Sequence, residues 1–327
     1  MNPRTEGPLA ASISRPSRLT VAICTRNRAA SLRRTLVSLA AVAPPDAPWE
    51  VVLVLNDCSD DSPAVAGEFT GRVPLVVGVE PQEGLARARN AAVALATGDV
   101  VVWIDDDVVL PVDWLRNWAA AIQAHPEAAF FGGPINPVFE GAPPPWLIPA
   151  LPVIGSAFAR MVVETDGALV TRHVLPYGAN FAMRTSAHRA HPFDVATGLA
   201  GVGWIRNGEE TRIIEAVMAD GGTGVWVKNT RVDHIIAPDR QTLDYVARYY
   251  EGFGRLTAPR ATTPAARLAV WGDKTVAAWK LRRAAASGDP VRWLLALQRD
   301  AIRRGRWIEL TERRRQARSA RGATSRS

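Results

Sequence analysis

The run Val100-Val101-Val102-Trp103-Ile104-Asp105-Asp106-Asp107 places three consecutive carboxylates directly after a strongly apolar segment, and Val108-Val109-Leu110 follows them. Three carboxylates beside a buried strand repel one another and lose hydration energy, so they need a cationic partner. A divalent metal that carries a phosphate group is the natural candidate, because Mg²⁺ and Mn²⁺ bind through one or two carboxylates together with substrate phosphates. The alternative is a polar turn at the end of a strand.

Apolar runs alternate with helical patterns in the N-terminal half of the chain. Strands that are apolar throughout and separated by helices predict an α/β fold with a mainly parallel central sheet and helices on both faces. Ligands of such sheets bind outside the carboxyl ends of the strands. Three of the predicted strands have a polar cluster at their carboxyl end, and this favours a ligand site over a simple turn. The strands are predicted at 19–24, 50–55, 73–79 and 100–104, a helix at 84–96, and the polar clusters at 25–28, 56–61 and 105–107.

Length and composition limit the class of protein. The 327 residues suffice for one large α/β domain with an appendage, or for two domains. The two cysteines, Cys24 and Cys58, form neither a CxxC pair nor a disulfide framework, which predicts a reducing cytoplasm and no zinc site. Residues 1–18 lack the apolar region of a signal peptide, and no run approaches the roughly 18 to 20 apolar residues of a transmembrane helix.

Four motifs, in this order, resemble those of family 2 glycosyltransferases, which have the GT-A fold. Residues 21–28 resemble the opening strand and loop of the family, 54–61 its VDDxSxD segment, 84–90 its GxxxARN helix start and 104–107 its DxD motif. Together with residues 176–255, the resemblance covers roughly residues 18–255. It implies a metal-dependent enzyme that moves a sugar from a nucleotide-sugar donor to an acceptor hydroxyl with inversion, in polysaccharide, glycolipid or other glycoconjugate synthesis.

The resemblance also divides the chain. It implies a GT-A domain at 19–258, with a nucleotide-binding half (19–133) and an acceptor and catalytic half (134–258). A disordered leader (1–18) is expected before this domain. A basic helical extension (259–318) and a disordered tail (319–327) are expected after it.

The donor site implied by the resemblance lies at the ends of the first strands. Asp57 accepts a hydrogen bond from the nucleobase, and it does so alone, because Asn56 stands where the family usually has aspartate. Arg89 adds positive charge near the nucleotide, with a solvated helix face or an ion pair with Glu83 as the alternative. Asn180 contacts sugar hydroxyls or, alternatively, satisfies buried backbone groups. The implied donor-binding set is Thr25, Arg26, Asn27, Asp57, Arg89, Asp105, Asp106, Asn180 and Arg240, with a UDP-sugar as the expected donor.

The metal ligands implied by the resemblance are Asp105, Asp107 and His234, with Mn²⁺ or Mg²⁺ as the ion. Asp105 also contacts the ribose, and Arg240 reaches the diphosphate. Asp106 is expected to point away and to contribute least. Replacing Asp107 with alanine should therefore abolish transfer, whereas Asp106→Ala should largely spare it.

A catalytic base is sought in residues 204–216, which resemble the GEDxxLxxRL element of the family. An inverting transferase needs one carboxylate to take the proton of the acceptor hydroxyl as that hydroxyl attacks the anomeric carbon. Glu210 stands where the family usually has aspartate, so it is the candidate base, and Glu209 is the alternative. Without the upstream motifs, both glutamates would be interpreted as an acidic first turn of a helix.

The proline-rich segment 134–152 is predicted to be a stiff connecting loop, because proline disfavours a regular helix or a central strand. Trp146, inside this segment, either forms a wall of the acceptor site or simply packs against the protein.

The C-terminal region differs from the rest of the chain in charge. From residue 261 onward there are 16 Lys+Arg and 5 Asp+Glu, a net charge of +11 within a total of +7. Basic helices with Trp and Leu fit a peripheral contact with the inner face of the membrane, useful for a saccharide or lipid-linked acceptor. Packing on the catalytic domain is the alternative. Nucleic acid is disfavoured because no recognised binding motif is present.

Two other classes of protein remain open at this stage. A GT-A-like protein that binds nucleotide-sugars without catalysis would explain the departure at Glu210. An NAD-type oxidoreductase is disfavoured, because Thr25-Arg26-Asn27-Arg28 stands where GxGxxG would follow the first strand.

Overall fold

The structure is a computed structural model that describes residues 17–195, 208–259, 263–285 and 288–324, with side chains described as far as residue 317. Residues 1–16 of the predicted leader and 325–327 of the predicted tail lie outside the described residues. So does the stretch 196–207, which contains the first four residues of the predicted catalytic element.

The strands and helices follow one another as an α/β chain. The strands are β1 (Leu19–Thr25), β2 (Trp49–Asn56), β3 (Leu75–Glu80), β4 (Val100–Ile104), β5 (Val108–Val109), β6 (Phe130–Gly132), β7 (Ile135–Phe139), β8 (Asn180–Arg184), β9 (Gly224–Trp226) and β10 (Val232–Ile236). The helices are α1 (Ala29–Ala40), α2 (Ser62–Glu68), α3 (Leu85–Leu95), α4 (Trp114–Ala124), α5 (Leu147–Ile154), α6 (Thr185–Ala190), α7 (Glu209–Ala219), α8 (Leu243–Leu256), α9 (Pro264–Ala285) and α10 (Pro290–Thr324).

A seven-stranded sheet with the order β3-β2-β1-β4-β8-β6-β9 forms the centre of the molecule. Only β8 runs antiparallel to its neighbours, so the prediction of a mainly parallel sheet is confirmed. Alternate residues of a strand point to opposite faces. Val21 and Ile23 therefore enter one hydrophobic cluster while Ala22 enters the other, and helices cover both faces.

The functional edge of this sheet lies where β1 separates β2 from β4. The chain passes from β1 to β2 on one side, and β4 pairs with the other side of β1. Such a switch point opens a crevice at the carboxyl ends of the strands. Thr25 ends β1, and the aspartate triplet directly follows β4, so both polar clusters lie at this crevice.

A second sheet of three strands, with the order β5-β10-β7, closes over the aspartates. His234 of β10 pairs with Val108 of β5, and the amide of Ile235 donates to the carbonyl of Asp107 at 2.8 Å. The backbone register alone therefore brings His234 beside the aspartate triplet, although the two are more than 120 residues apart in sequence.

The prediction of an irregular loop at 134–152 is wrong, because β7 and α5 both lie in this segment. Pro137 is accommodated because β7 is an edge strand, where a missing amide donor costs no ladder hydrogen bond. Helix α5 contains Pro152, yet Leu147, Ala150 and Ile154 are buried in a third hydrophobic cluster. The packing of these side chains outweighs the poor helix propensity of the segment. Trp146 packs against the same cluster.

The C-terminal extension is divided between its two helices. Helix α10 packs on α8 and α5, and residues such as Leu294 and Ala301 complete the third hydrophobic cluster. The α8 and α10 backbones come so close at Gly254 and Gly305 that a Cβ at either position would collide with the facing main chain. The predicted boundary after residue 258 therefore does not separate α10 from the catalytic domain. Helix α9, in contrast, packs on α10.

Helix α10 also continues to Thr324, so the prediction of a disordered tail from residue 319 is wrong for residues 319–324. Residues 319–324 include Ala320, Arg321 and Ala323, which are strong helix formers, and no proline ends the helix there. Within the described residues, we find no helix with the length and apolar content needed to cross a bilayer.

His188 provides a test of the core beneath β4. Its Nε2 accepts a hydrogen bond from Trp103 Nε1 at 2.8 Å, and burial, together with nearby Arg89, lowers the pKa of His188 to about 3. In the unfolded chain the His188 ring takes up a proton near pH 6.5, whereas the buried ring stays neutral. The contribution of His188 to the free energy of unfolding is therefore complete only above that pH. This stability is lost as the pH falls towards 3, by about 1.4 kcal/mol for each pH unit.

Between pH 7 and pH 5 the wild type should therefore lose about 2 kcal/mol more free energy of unfolding than His188→Gln, as measured by urea unfolding. Glutamine can still accept from Trp103 but does not titrate. His173→Gln, at an exposed position, is the matched control and should leave the pH slope unchanged. An identical slope for His188→Gln and the wild type would contradict the burial argument.

Candidate active site

Asp106 faces the protein interior at the carboxyl end of β4. Its two oxygens accept from Thr25 Oγ1 at 2.6 Å and from the Arg28 guanidinium at 2.7 Å. Burial raises the pKa of Asp106 to about 7 even though the charge of Arg28 lowers it. The prediction that Asp106 points away from the metal cluster agrees with this geometry. Both oxygens hold other residues of the site in place, and the expectations that Asp106 contributes least and that it binds the donor stay predictions.

We therefore expect Asp106→Ala to destabilise the protein by about 2 kcal/mol, since it leaves the buried Thr25 hydroxyl without its acceptor and frees Arg28 on one side. Asp106→Asn should cost less, because an amide oxygen can still accept from Thr25. Asp113→Ala is the matched control, since Asp113 is exposed and forms an ion pair with Arg116 at 4.0 Å on the surface. Equal stability of Asp106→Ala and the wild type would show that the triplet does not anchor the loop after β1.

Asp107 is the most densely contacted carboxylate of the site. Its Oδ2 accepts from Arg28 at 2.8 Å and from Arg240 at 3.0 Å, and its Oδ1 lies 3.2 Å from His234 Nε2. Burial by itself would raise the pKa of Asp107, but His234, Arg28 and Arg240 hold it well below its usual range. Arg240 is itself oriented by the Tyr245 hydroxyl, which accepts from its Nε at 3.0 Å. Asp107 is therefore ionised in the folded protein.

The residues present fit a divalent metal. His234 Nδ1 lies 3.2 Å from the carbonyl oxygen of Phe158, which can only accept, so Nδ1 carries a hydrogen and Nε2 is the ring nitrogen that could bind a metal. This Nε2 faces Asp107 Oδ1, which is buried and has no hydrogen-bond partner. Ligand atoms of Asp105, Asp107 and His234 all lie within 4.8 Å of one another. A carbonyl partner for the second ring nitrogen is also typical of histidines that bind metals.

Arg89 connects this cluster to Glu210. Its guanidinium lies 3.4 Å from Glu210 Oε2 and 3.9 Å from Asp105 Oδ1, and it is buried above the rings of Trp103 and Phe193. A Cβ at Gly178 would collide with Arg89 Nη2, so glycine at this position leaves room for the guanidinium as it is placed here. Arg89 does not pair with Glu83, which instead pairs with Arg26 at 3.1 Å. Arg89 therefore neither lies on a solvated helix face nor pairs with Glu83, so both of these alternatives are wrong.

Glu210, in the first turn of α7, is buried beside Arg89. Its Oε1 accepts from the Gly178 amide at 3.3 Å. Burial raises the pKa of Glu210, with Glu209 acting in the same direction and Arg89 against it. A carboxylate with a raised pKa is better matched to proton abstraction near neutral pH. Glu209 is half-buried and lines a separate cleft with His191 and Arg212, so the two glutamates do not share one surface.

The rim of the crevice is formed by the loops after β1 and β2. Asp57 is exposed and accepts from Arg26 at 3.0 Å, and Asn27 Oδ1 accepts from the Ser59 amide at 2.7 Å. Asn27 and Asp57 both adopt positive φ, at 53° and 49°, which Asn and Asp tolerate better than most residues. Asn56 donates to the carbonyls of Glu80 and Gln82 and accepts from Gly84. An aspartate at position 56 could not make those two donations.

Asn180 serves the fold, because both of its amide hydrogens and one lone pair of its oxygen are used inside the protein. Its amide nitrogen donates to the carbonyls of Pro134 and Thr230 at 2.9 and 2.7 Å, and its oxygen accepts from Trp114 Nε1 at 3.2 Å. The side chain is fully buried. The prediction that Asn180 binds the donor is therefore not supported, and the alternative, a buried asparagine that satisfies backbone groups, describes it.

Sequence reasoning missed two parts of the site. Arg28 was quoted within the first polar cluster, but nothing in the sequence indicated that it would bridge Asp106 and Asp107. Tyr177 lies near Glu210, and burial raises the pKa of Tyr177 to about 12, so it keeps its proton. The position of Tyr177 three residues before β8 was the only available indication.

The sequence profile of glycosyl transferase family 2 matches residues 20–187, just over half of the chain. The chain belongs to this family. The GT-A fold and the assignment as a glycosyltransferase enzyme are thereby confirmed, and the oxidoreductase alternative is excluded.

Two characterised relatives resemble this family 2 chain over most of its length. The succinoglycan biosynthesis protein ExoM of Rhizobium meliloti is 26% identical over 250 residues, covering 74% of this chain and 75% of that protein. The glucosyl-dolichyl phosphate glucuronosyltransferase of Haloferax volcanii is 22% identical over 251 residues, covering 73% and 76%.

Solved structures of similar fold include two with bound donors. The mannosyltransferase PcManGT of Pyrobaculum calidifontis, in complex with GDP-Man and Mn²⁺, has a TM-score of 0.59 at 19% identity, covering 94% of this chain and 91% of that one. S. aureus TarS 1–349 in complex with UDP-GlcNAc has a TM-score of 0.52 at 14% identity, covering 92% of both chains. At these identities the likeness shows the fold alone.

Proposed function

We propose that this protein transfers a sugar from a nucleotide-sugar donor to a hydroxyl of a saccharide or lipid-linked acceptor, with inversion and with Mn²⁺ or Mg²⁺. The observation that carries the proposal is the cluster of Asp105, Asp107 and His234, in which the buried, unpartnered Oδ1 of Asp107 faces Nε2 of His234. The crevice at the β1–β4 switch point supports the placement of the donor there.

The donor end of the reaction would use the cations of this crevice. When bound, a divalent ion held by Asp105, Asp107 and His234 would neutralise charge on the leaving diphosphate. Arg28 and Arg240 lie on the same carboxylate and would add positive charge at that end. Asp57, on the exposed rim beside Arg26, would accept a hydrogen bond from the base. A UDP-sugar is proposed as the donor, supported by the likeness to a fold that holds UDP-GlcNAc.

The acceptor end would depend on Glu210. Its carboxylate would take the proton of the attacking hydroxyl on the face of the sugar opposite the diphosphate. Arg89 would orient Glu210, and it links the base to Asp105 across the crevice. The names of the two relatives support a polysaccharide or lipid-linked acceptor, because one is a succinoglycan biosynthesis protein and the other a glucuronosyltransferase named for glucosyl-dolichyl phosphate. We propose peripheral contact with the inner face of the membrane through the basic C-terminal helices.

A thermal-shift screen with UDP-, GDP- and dTDP-sugars, with and without Mn²⁺, tests the donor proposal directly. A ligand that binds only the folded protein raises its stability by RT ln(1 + [L]/Kd), so the correct donor should shift the melting temperature only when metal is present. NMR of the anomeric configuration of the product then tests inversion. The absence of a metal-dependent shift with every donor would count decisively against the proposal.

A further inference from the structure

Helix α9 carries an apolar face that no described part of the chain covers. Leu268, Trp271, Val276 and Trp279 are 68%, 50%, 51% and 55% exposed. At about 100° per residue they lie within an arc of roughly 140° on one side of the helix. The opposite side carries Val270, Ala277 and Ala284, spaced seven residues apart and buried against α10. Helix α9 is therefore two-faced, with its larger apolar side chains turned outward.

Cations lie beside and within this apolar face. Arg267 and Lys274 lie over the ring of Trp307 of α10, at 5.7 and 5.9 Å from its centre. Arg283 lies 4.7 Å from the ring centre of Trp279, which belongs to the apolar face itself. An exposed Trp and Leu surface bordered by Lys and Arg is typical of helices that lie in the interface of a bilayer.

A cleft of about 490 Å³ between α9 and α10 adds a second, independent observation. Five of the ten residues that line it are cationic, and no acidic side chain is among these ten. Within the described ranges, none of the five forms an ion pair with a carboxylate. In contrast, Arg255 of α8 and Arg304 and Arg313 of α10 are each paired with a carboxylate. Unpaired cations around one cleft leave it open to an external anion. The cationic residues are Lys280, Arg283, Arg292, Arg299 and Arg303.

The cleft and the apolar face belong to one surface, because Trp279 contributes to both and Arg283 of the cleft lies over its ring. Helix α10 joins this surface firmly to the catalytic half through its close contact with α8 at Gly254 and Gly305. Gln298 of α10 also donates to the carbonyl of Val153 in α5 at 3.2 Å. Anything bound at the α9–α10 surface would therefore hold the catalytic domain in a defined orientation.

We infer that the outer face of α9 and the α9–α10 cleft together form a docking site for an anionic phospholipid surface. The four apolar side chains enter the interface, and the five cations contact lipid phosphates, which supply the missing negative charge. The inference deepens the proposed function. It rests on that function in one respect, because a lipid-linked acceptor makes such docking useful. It names the face of the protein and the lipid chemistry that the proposal leaves open.

Vesicle flotation of the full-length chain tests the inference. We expect strong binding to vesicles of phosphatidylcholine with phosphatidylglycerol, weak binding to phosphatidylcholine alone, and loss of the difference at high salt. The triple variant Arg283→Gln, Arg292→Gln and Arg299→Gln should weaken binding to the anionic vesicles by roughly 100-fold. The double variant Trp271→Ser and Trp279→Ser should weaken binding by about 10-fold without changing its salt dependence.

Matched controls are available on the catalytic domain. Val162→Ser with Leu169→Ser removes two side chains of similar exposure, at 56% and 65%, and should bind vesicles like the wild type. Arg116→Gln, Arg231→Gln and Arg248→Gln together remove the same number of charges from the surface and should have at most a small effect.

The inference is overturned if the wild type does not bind anionic vesicles, or if the α9–α10 variants and their controls bind alike. It is also overturned if the tryptophan face instead mediates self-association that is lost in the double variant, or if the cations bind duplex nucleic acid in preference to vesicles. Donor-dependent thermal shifts of the same variants separate this inference from the proposed function. Retained shifts with lost vesicle binding locate the defect at the membrane, whereas vesicle binding without any donor shift would count against the proposed function alone.

Discussion

Replacing Asp107 with asparagine is expected to lower the rate of sugar transfer by about 10³-fold, the scale on which loss of one electrostatic contact to a developing charge is felt. Asparagine has the same shape but no charge, so Arg28 and Arg240 lose their shared anion. The oxygen that faces His234 also loses its negative charge, and with it most of its affinity for a divalent cation. Steady-state kinetics with a saturating acceptor measures this loss.

Two further measurements make the Asp107→Asn result specific. The metal-dependent part of the donor thermal shift should disappear in this variant, which a merely structural role would not produce. Asp233→Asn is the matched control, because Asp233 neighbours His234 on β10 but contacts Asn136 and Arg231 on the surface. It should keep the wild-type rate within a factor of about three. A fully active Asp107→Asn with an intact metal-dependent shift would remove Asp107 from the site.

Replacing Glu210 with glutamine is expected to lower kcat by about 10² to 10⁴-fold, the usual contribution of a positioned general base. Glutamine fills the same volume and its oxygen can still accept from the Gly178 amide, so the fold of α7 should be retained. Donor binding, followed by thermal shift, should remain close to that of the wild type. The effect would therefore appear in kcat and leave the affinity for the donor largely unchanged.

Glu209→Gln provides the matched control one residue away. Glu209 is half-buried in a separate cleft, so its variant should stay within a few-fold of the wild-type rate. The pH profile adds a second readout. Because burial raises the pKa of Glu210, the wild-type rate should fall with decreasing pH at a pH above the ordinary value of 4.5, as the base becomes protonated. A larger loss in Glu209→Gln than in Glu210→Gln would reassign the base.

The N-terminal half was predictable because its elements depend on local patterns. Apolar runs of five to eight residues bounded by turn residues specify buried parallel strands with little ambiguity. The boundaries of β4 and α3 accordingly agree with the prediction to within one residue at each end. The segment 134–152 was not predictable in this way. Strand β7 tolerates its proline because it lies at the edge of a sheet. Helix α5 is stabilised by contacts with α8 and α10, which lie about 100 or more residues later in the chain.

The candidate site divides in the same manner. Asp105, Asp107, His234 and Glu210 could be named from motifs whose residue types suit metal binding and proton transfer. Asp106 and Asn180 could not be interpreted correctly, because the function of a buried polar group depends on which partners face it. Thr25 and Arg28 hold Asp106, and two carbonyls with one indole hold Asn180. None of these pairings is encoded in local sequence.

The amino-acid sequence by itself determined the family, the parallel sheet and the residue types of a metal-dependent transferase, because strand periodicity and motif order are local properties. Only the tertiary structure decided how the aspartate triplet is divided, with Asp106 anchoring Arg28 and Asp107 facing His234. Only it showed that α10 belongs to the catalytic domain while α9 turns tryptophans outward. The reason is physical: burial, pairing of charges and exposure of an apolar face depend on distances between residues far apart in the chain.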